Sequence, residues 1–400
     1  MVPHRAATTT PGRIGATLLT LLLLAGCSTP TWLGGKTDGK ESTRFQPPDP
    51  GVSTGLNPVW HRSITGSADK HFTQPARMAV GPDGLYLGTF QGHVVRVDRQ
   101  SGEIVWKSGV GAPVTGGVGI DAVRVYAGTE QGVMVALDRT TGVELWRTQM
   151  NTSVDSAPLA VDGKVIFLTL DNRTHALDAN TGRKLWVHST PAEQLVVMGS
   201  STPSSADGLL FIGYSSGEVF ALRLADGQKV WSDNLRVLGG SGELDQIQDV
   251  DAAVVFSDDS GPRLAARRAF AVNHQGRVVA YLTSNGNRIW EKRVSAVQQP
   301  LWFKGQLFIA DMEGQIMALS SDDGVELWRV RLSDGLLSSP VMYKGMLLVA
   351  DNQKRLFALD PASGRLTGRE LLPGPVLSLP QVTEEGVYWW TNDGDLLRYE

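Results

Sequence analysis

The 400-residue chain has a single cysteine, Cys27, which rules out an intramolecular disulfide and any cysteine-built metal cage. No apolar run reaches the roughly 20 residues that a membrane-spanning helix needs; the main one runs only from Ile14 to Ala25. There is no basic tract. With 37 basic and 41 acidic residues, a formal charge of −4 and a pI near 6.0, the chain has no general attraction for nucleic acid or anionic lipid. The metalloprotease signature His-Glu-x-x-His is missing too. The seven histidines (4, 61, 71, 93, 175, 188 and 274) show no metal-ligand spacing, and solvated or turn positions are expected for them. No metal, cofactor or catalytic residue is therefore assigned. What the chain does have is glycine, 45 of them, and enough apolar residues (42%) to exclude disorder. That mix suits many short strands joined by tight turns.

The lone cysteine is explained by its position. His4, Arg5 and Arg13 precede the apolar run, which ends in Leu24-Ala25-Gly26-Cys27. A basic start, a short apolar stretch and small residues before a cut form a signal peptide. Its end resembles a bacterial lipobox, which implies a lipidated Cys27 as the mature N-terminus; Ser28, where an Asp would favour inner-membrane retention, points to the outer membrane. Residues 28–55 are rich in Gly, Ser, Thr, Pro and Lys without periodicity, as in a flexible tether. The expected organisation is a signal peptide over 1–26, a lipidated tether over 27–55 and a folded body over 56–400.

That body repeats. Trp60, Trp106, Trp146, Trp186, Trp231, Trp290 and Trp328 follow one another at 38 to 46 residues, with one interval of 59. Gly102, Gly142, Gly182, Gly227, Gly286 and Gly324 stand four residues before six of them, and Gly364 keeps the same turn where Gly368 replaces the Trp. Within one unit, Ala157 to Val161, Lys164 to Leu170, Thr174 to Leu177 and Lys184 to His188 read as strands, separated by Asp162-Gly163, Asp171 to Arg173 and Asp178 to Gly182. Four antiparallel strands per repeat of about 40 residues make a propeller blade. One blade cannot bury both faces, so blades must stack, and the Trp is the natural wedge between them. Asp98, Asp138, Asp178 and Asp360 recur four residues before the glycine, as turn-capping oxygens would. Seven intervals lead from Trp60 to Gly368. Val376 to Tyr399 then supplies three strands that lack a fourth, and the segment around Trp60 is a fourth strand that lacks three. Pairing the two ends gives an all-β, eight-bladed propeller, a closed ring expected to leave no exposed edges; seven blades plus an irregular extension is the rival count.

The repeat Asp138-Arg-Thr-Thr-Gly142-Val-Glu-Leu-Trp146 is similar to that of the PQQ-like propeller superfamily, which includes quinoprotein dehydrogenases. Those enzymes carry an adjacent cysteine pair, which this chain lacks. A closer resemblance is to the BamB family, propeller lipoproteins of the outer-membrane β-barrel assembly (BAM) machinery. It covers nearly the whole mature chain, and its most specific part is Gly240-Ser-Gly-Glu-Leu-Asp-Gln-Ile-Gln-Asp-Val-Asp251 in the longest interval between tryptophans. Taken by itself, this segment mixes Leu244, Ile247 and Val250 with acids; it suits a contact surface or an ordinary connection capping one end of the propeller.

The resemblance implies a non-enzymatic scaffold at the outer membrane, facing the periplasm and binding the POTRA domains of BamA. It places the contacts at Asp249 and Asp251 and at Leu195, Val197 and Met198, one blade earlier. Met198 stands where the family usually has Arg, so a charge-assisted contact is lost while a thioether can still pack. Arg263, Arg267 and Arg268, in an apparent insertion over 258–268, are candidates for replacement charge. The alternatives are a periplasmic PQQ-dependent oxidoreductase and a lipoprotein that binds another envelope partner.

Overall fold

The computed structural model describes residues 52–65, 77–190, 201–235, 250, 252–258, 267–274, 276–296 and 298–400. Cys27, the signal peptide and nearly all of the tether lie outside the described residues. The described chain forms eight four-stranded antiparallel sheets. We number the blades along the chain from the sheet that begins at Ala79. Blade 3 shows the pattern: Leu159–Val161, Lys164–Thr169, Arg173–Asp178 and Lys184–Ser189, hydrogen-bonded in that order from the innermost strand outwards. These are the four strands that the spacing predicts, with boundaries moved by a residue or two.

The ring has eight blades. In blade 8 the strands Gln381–Thr383, Gly386–Trp390 and Asp395–Tyr399 take Pro58–Ser63 from the start of the body as their outermost member. Asn57 and Glu400 exchange two backbone hydrogen bonds at 2.9 and 3.0 Å, which ties the chain ends together. Each of the eight buried apolar clusters lies between two consecutive blades. The cluster of Trp60, Tyr388 and Trp390 with Leu85 and Val95 joins blade 8 to blade 1. A seven-bladed body would leave that seam open. Closure removes a terminal blade but not every edge, because the outer strand of each blade keeps one unpaired side.

The second and third strands of each blade are covered by neighbours on both faces and are almost wholly buried, as in Val165 to Leu168 and Thr174 to Leu177. The fourth strand alternates between solvent and the next blade. Opposite most of the tryptophans the third strand carries an alanine, such as Ala136, Ala221, Ala280 and Ala318. The gap lets an aromatic on the second strand reach the indole: Tyr126 with Trp146, Phe270 with Trp290 and Phe308 with Trp328, at 5.8 to 5.9 Å between centroids.

The wedge meets glycine. A Cβ on Gly102, Gly142, Gly182, Gly227, Gly286, Gly324 or Gly364 would come within 2.4 to 2.8 Å of the previous blade's indole, and all seven have φ between 69° and 74°. Only glycine tolerates both conditions. The Asp at the head of the turn caps it: Asp138 Oδ1 accepts hydrogen bonds from the N–H groups of Thr140 and Thr141 and from the Thr141 hydroxyl, and Asp98 and Asp178 do the same in their turns. These bonds hold the three carboxyls below the usual range.

Blade 7 has no wedge because the chain itself fills that place. A Cβ on Gly368 would lie 2.5 Å from the Cα of Thr54. The segment that leads into blade 8 crosses there: the Arg369 N–H donates to the Val52 carbonyl at 2.8 Å, and Glu370 accepts from the Ser53 and Thr54 hydroxyls and the Thr54 N–H. Leu56 then enters the core between blades 7 and 8.

Gly324→Ala is expected to lose roughly 2 kcal/mol or more of stability in urea unfolding, combining a strained φ with overpacking against Trp290. Gly163→Ala, whose φ is 70° but whose Cβ would meet open space, should lose only about 1 kcal/mol. Equal losses would refute the wedge contact.

Candidate partner-binding rim

Strand direction gives the propeller two different ends. Turns between the third and fourth strands, with their Asp caps, lie at one end. The connections from each outer strand to the next blade lie at the other, beside the turns between second and third strands. There every connection starts in the same way: its first N–H donates to the last carbonyl of the neighbouring turn, as in Val110 to Gly92, Met150 to Gly132, Leu235 to Gly217 and Leu332 to Gly314, at 2.7 to 3.0 Å. These four anchors are buried apolar residues. Blade 3 differs, with the half-buried Thr190 bonded to Asn172 at 3.4 Å.

The two connections that contain the sequence-predicted contact segments start and return at this end, on either side of blade 4. Leu195, Val197 and Met198 follow Thr190; Asp249 and Asp251 precede the return at Ala252. All five residues lie outside the described residues, so it is their anchors that are located here. The second connection is lengthened at a definable place. Short connections return by a valine packed on a glycine of the second strand, Val114 on Gly88 and Val154 on Gly128, four residues after the first anchor. Val250 holds the same place on Gly213, with its N–H 3.3 Å from the Tyr214 carbonyl, fifteen residues after Leu235. All the added length is therefore between Leu235 and Val250.

This corrects one expectation. Val250 is not part of an apolar contact surface; it is buried between blades 4 and 5 with Leu235 and Val254. The two connections are also joined, because the buried Ser201 hydroxyl donates to the Ala252 carbonyl at 3.1 Å. Sequence spacing gave no sign of that bond. Blade 3 leans on blade 4 less completely than elsewhere. Six tryptophan N–H groups donate to a carbonyl of the next blade at 2.9 to 3.2 Å, whereas the Trp186 N–H is buried without a partner. In the blade-4 turn that faces it, Arg223 replaces the capping Asp and pairs with Asp226 instead.

The replacement-charge idea fails on geometry. The 258–268 insertion springs from the hairpin of Val255–Phe256 with Arg268–Asn273, so it leaves the end that carries the Asp caps. Arg267 pairs with Asp207 at 3.1 Å and Arg268 with Asp322 at 3.0 Å, both within the propeller. Arg263 lies outside the described residues.

The histidines are less solvated than expected. His175 is buried in the third strand of blade 3, stacked on Phe167 with a ring nitrogen 3.1 Å from the Thr169 hydroxyl. Burial pushes its pKa down to about 4, and burial also lowers His93, His188 and His274. Among the described residues no three His, Cys, Asp or Glu side chains converge as a metal site would require.

Comparison with known proteins gives a consistent picture. The family described as outer membrane protein assembly factor BamB matches residues 90–329 and 312–400. Curated relatives include the outer membrane protein assembly factor BamB of Bordetella pertussis, 29% identical over 393 residues and covering 97% of each chain, and that of Yersinia pestis, 26% identical over 78% of each chain. Among solved structures, BamB from Moraxella catarrhalis superposes with a TM-score of 0.77 at 23% identity, covering 86% of this chain and 99% of that one. The quinohemoprotein alcohol dehydrogenase from Comamonas testosteroni superposes at 0.69 with 13% identity, covering 86% and 76%. At such identities both speak for the fold alone.

Because the folded His175 resists protonation, its contribution is complete above pH 6.5 and is lost as pH falls toward 4. Across that window the wild type should lose on the order of 3 kcal/mol through this group. His175→Phe should flatten the pH dependence of the urea midpoint between pH 7 and 4. An unchanged slope would show that the ring titrates normally.

Proposed function

The chain belongs to the BamB family of outer membrane protein assembly factors, and on that premise we propose that it is a non-enzymatic scaffold of the BAM complex. Cys27, lipidated, holds the propeller at the periplasmic face of the outer membrane through the tether of residues 28–55. The rim around blade 4 docks the POTRA domains of BamA and so supports folding and insertion of β-barrel proteins. Leu195, Val197 and Met198 form the apolar part of the contact, and Asp249 and Asp251 the acidic part.

One observation carries the reading: the two connections that contain the segments singled out by sequence start and return at one end of the ring, on either side of blade 4, and their return points are tied by the Ser201–Ala252 hydrogen bond. A contact surface made of two neighbouring loops on a rigid frame suits recognition with little rearrangement. Binding as the whole task, without turnover, accords with relatives that are named as assembly factors.

Co-purification of BamA from detergent-solubilised envelopes should fall at least about tenfold in Leu195→Arg, which places a charge in an apolar contact, and in Asp249→Ala. Wild-type yield in both would remove these residues from the interface. In separate envelope fractions, Cys27→Ser should move the protein from the membrane to the soluble periplasm. Dye reduction with alcohols after addition of PQQ and calcium would favour the oxidoreductase instead.

A further inference from the structure

Each blade leads into its innermost strand with one residue at an equivalent register, two positions before the first paired residue except in blade 2, where pairing starts one residue earlier. In blades 1 to 8 these are Arg77, Gly117, Ala157, Thr202, Ala253, Gln299, Ser339 and Leu379; the register of the first two strands makes them equivalent. The ring lies at the end that carries the connections, and it contains one charged residue. Arg77 reaches across: its guanidinium hydrogen-bonds to the Gln299 side-chain carbonyl, although blades 7 and 8 separate blades 1 and 6 on the short way round. Such a contact is possible only through the channel. In blades 2, 3 and 5 the equivalent residues are only Gly and Ala, and Gly117 packs against the backbone of Arg77. Ser339 and Gln298 join Gln299 in a polar cluster, with the Ser339 hydroxyl accepting from the Gln299 N–H at 3.1 Å.

The guanidinium carries five N–H donors and keeps its charge at any physiological pH. Among the described residues Gln299 is its one acceptor, and no carboxylate pairs with it. Its nitrogens are not sealed away without partners, as several other arginine nitrogens in the ring are, so the remaining donors open on the lumen. The group nonetheless sits deep enough for burial alone to pull its pKa to about 10. A cation so placed lacks the compensation that buried charges ordinarily have. An oxyanion, with two coplanar acceptor oxygens, matches the free fork.

We propose that Arg77 anchors an oxyanion site on the propeller axis, which takes a carboxylate or phosphate group from the channel. Gln299 orients the guanidinium. The anion site does not rest on the partner docking proposed above.

The test is calorimetric titration of the full-length protein in chloride buffer with sodium phosphate and, in parallel, sodium acetate at matched ionic strength. Saturable one-to-one binding is expected for at least one anion, and the tighter of the two identifies the source. Arg77→Gln should weaken it at least about tenfold, the loss of one charge-assisted bidentate contact. Gln299→Ala, which keeps the charge and loses only the orienting contact, should weaken binding less than Arg77→Gln does. Absence of saturable binding in the wild type, undiminished binding in Arg77→Gln, or loss in Gln299→Ala as complete as in Arg77→Gln would overturn the proposal.

Discussion

The ring rests on the close approach of an indole face to a backbone turn in the next blade. A tryptophan on the outer strand of every blade but the seventh spans the gap to the following sheet, and the turn it meets must be glycine, for conformation and for space. The same turn is capped by an Asp in blades 1, 2, 3 and 7, so its geometry is set locally before the blades dock. Local and tertiary demands coincide at one five-residue stretch, which gives the repeat its clear sequence signature.

Departures from that interaction mark the places where the chain does something else. Blade 7 loses its tryptophan because the incoming N-terminal segment passes over Gly368 and is held by Glu370. Blade 3 keeps its tryptophan but not the hydrogen bond of the indole N–H, and the connection that follows starts from a half-buried threonine where other blades bury an aliphatic anchor. Blade 4 follows with an uncapped turn and the longest connection. Blades 3 and 4 are consecutive, and the connections that follow them contain the segments that the family resemblance assigns to partner contact.

The frame explains how such segments can vary without cost to the fold. In the connection from blade 4 to blade 5, Leu235 and Val250 fill the same two places that Met150 and Val154 fill in a short connection, so the added residues need not disturb either sheet. The axis is equally independent of the rim: Arg77 and Gln299 are held by the lead-ins to the innermost strands.

The sequence alone determined blade number, strand order within a blade, the pairing of the two chain ends and the capping role of the aspartates. Each of these depends on contacts that recur at a fixed spacing, and a spacing survives in a one-dimensional record. Tertiary structure decided the rest. That Gly368 yields to Thr54, that Val250 is core, that Ser201 ties two connections and that Arg77 finds Gln299 across the channel are contacts between residues brought together once, by closure of the ring. A contact made a single time leaves no period to read, so only the closed ring could place it.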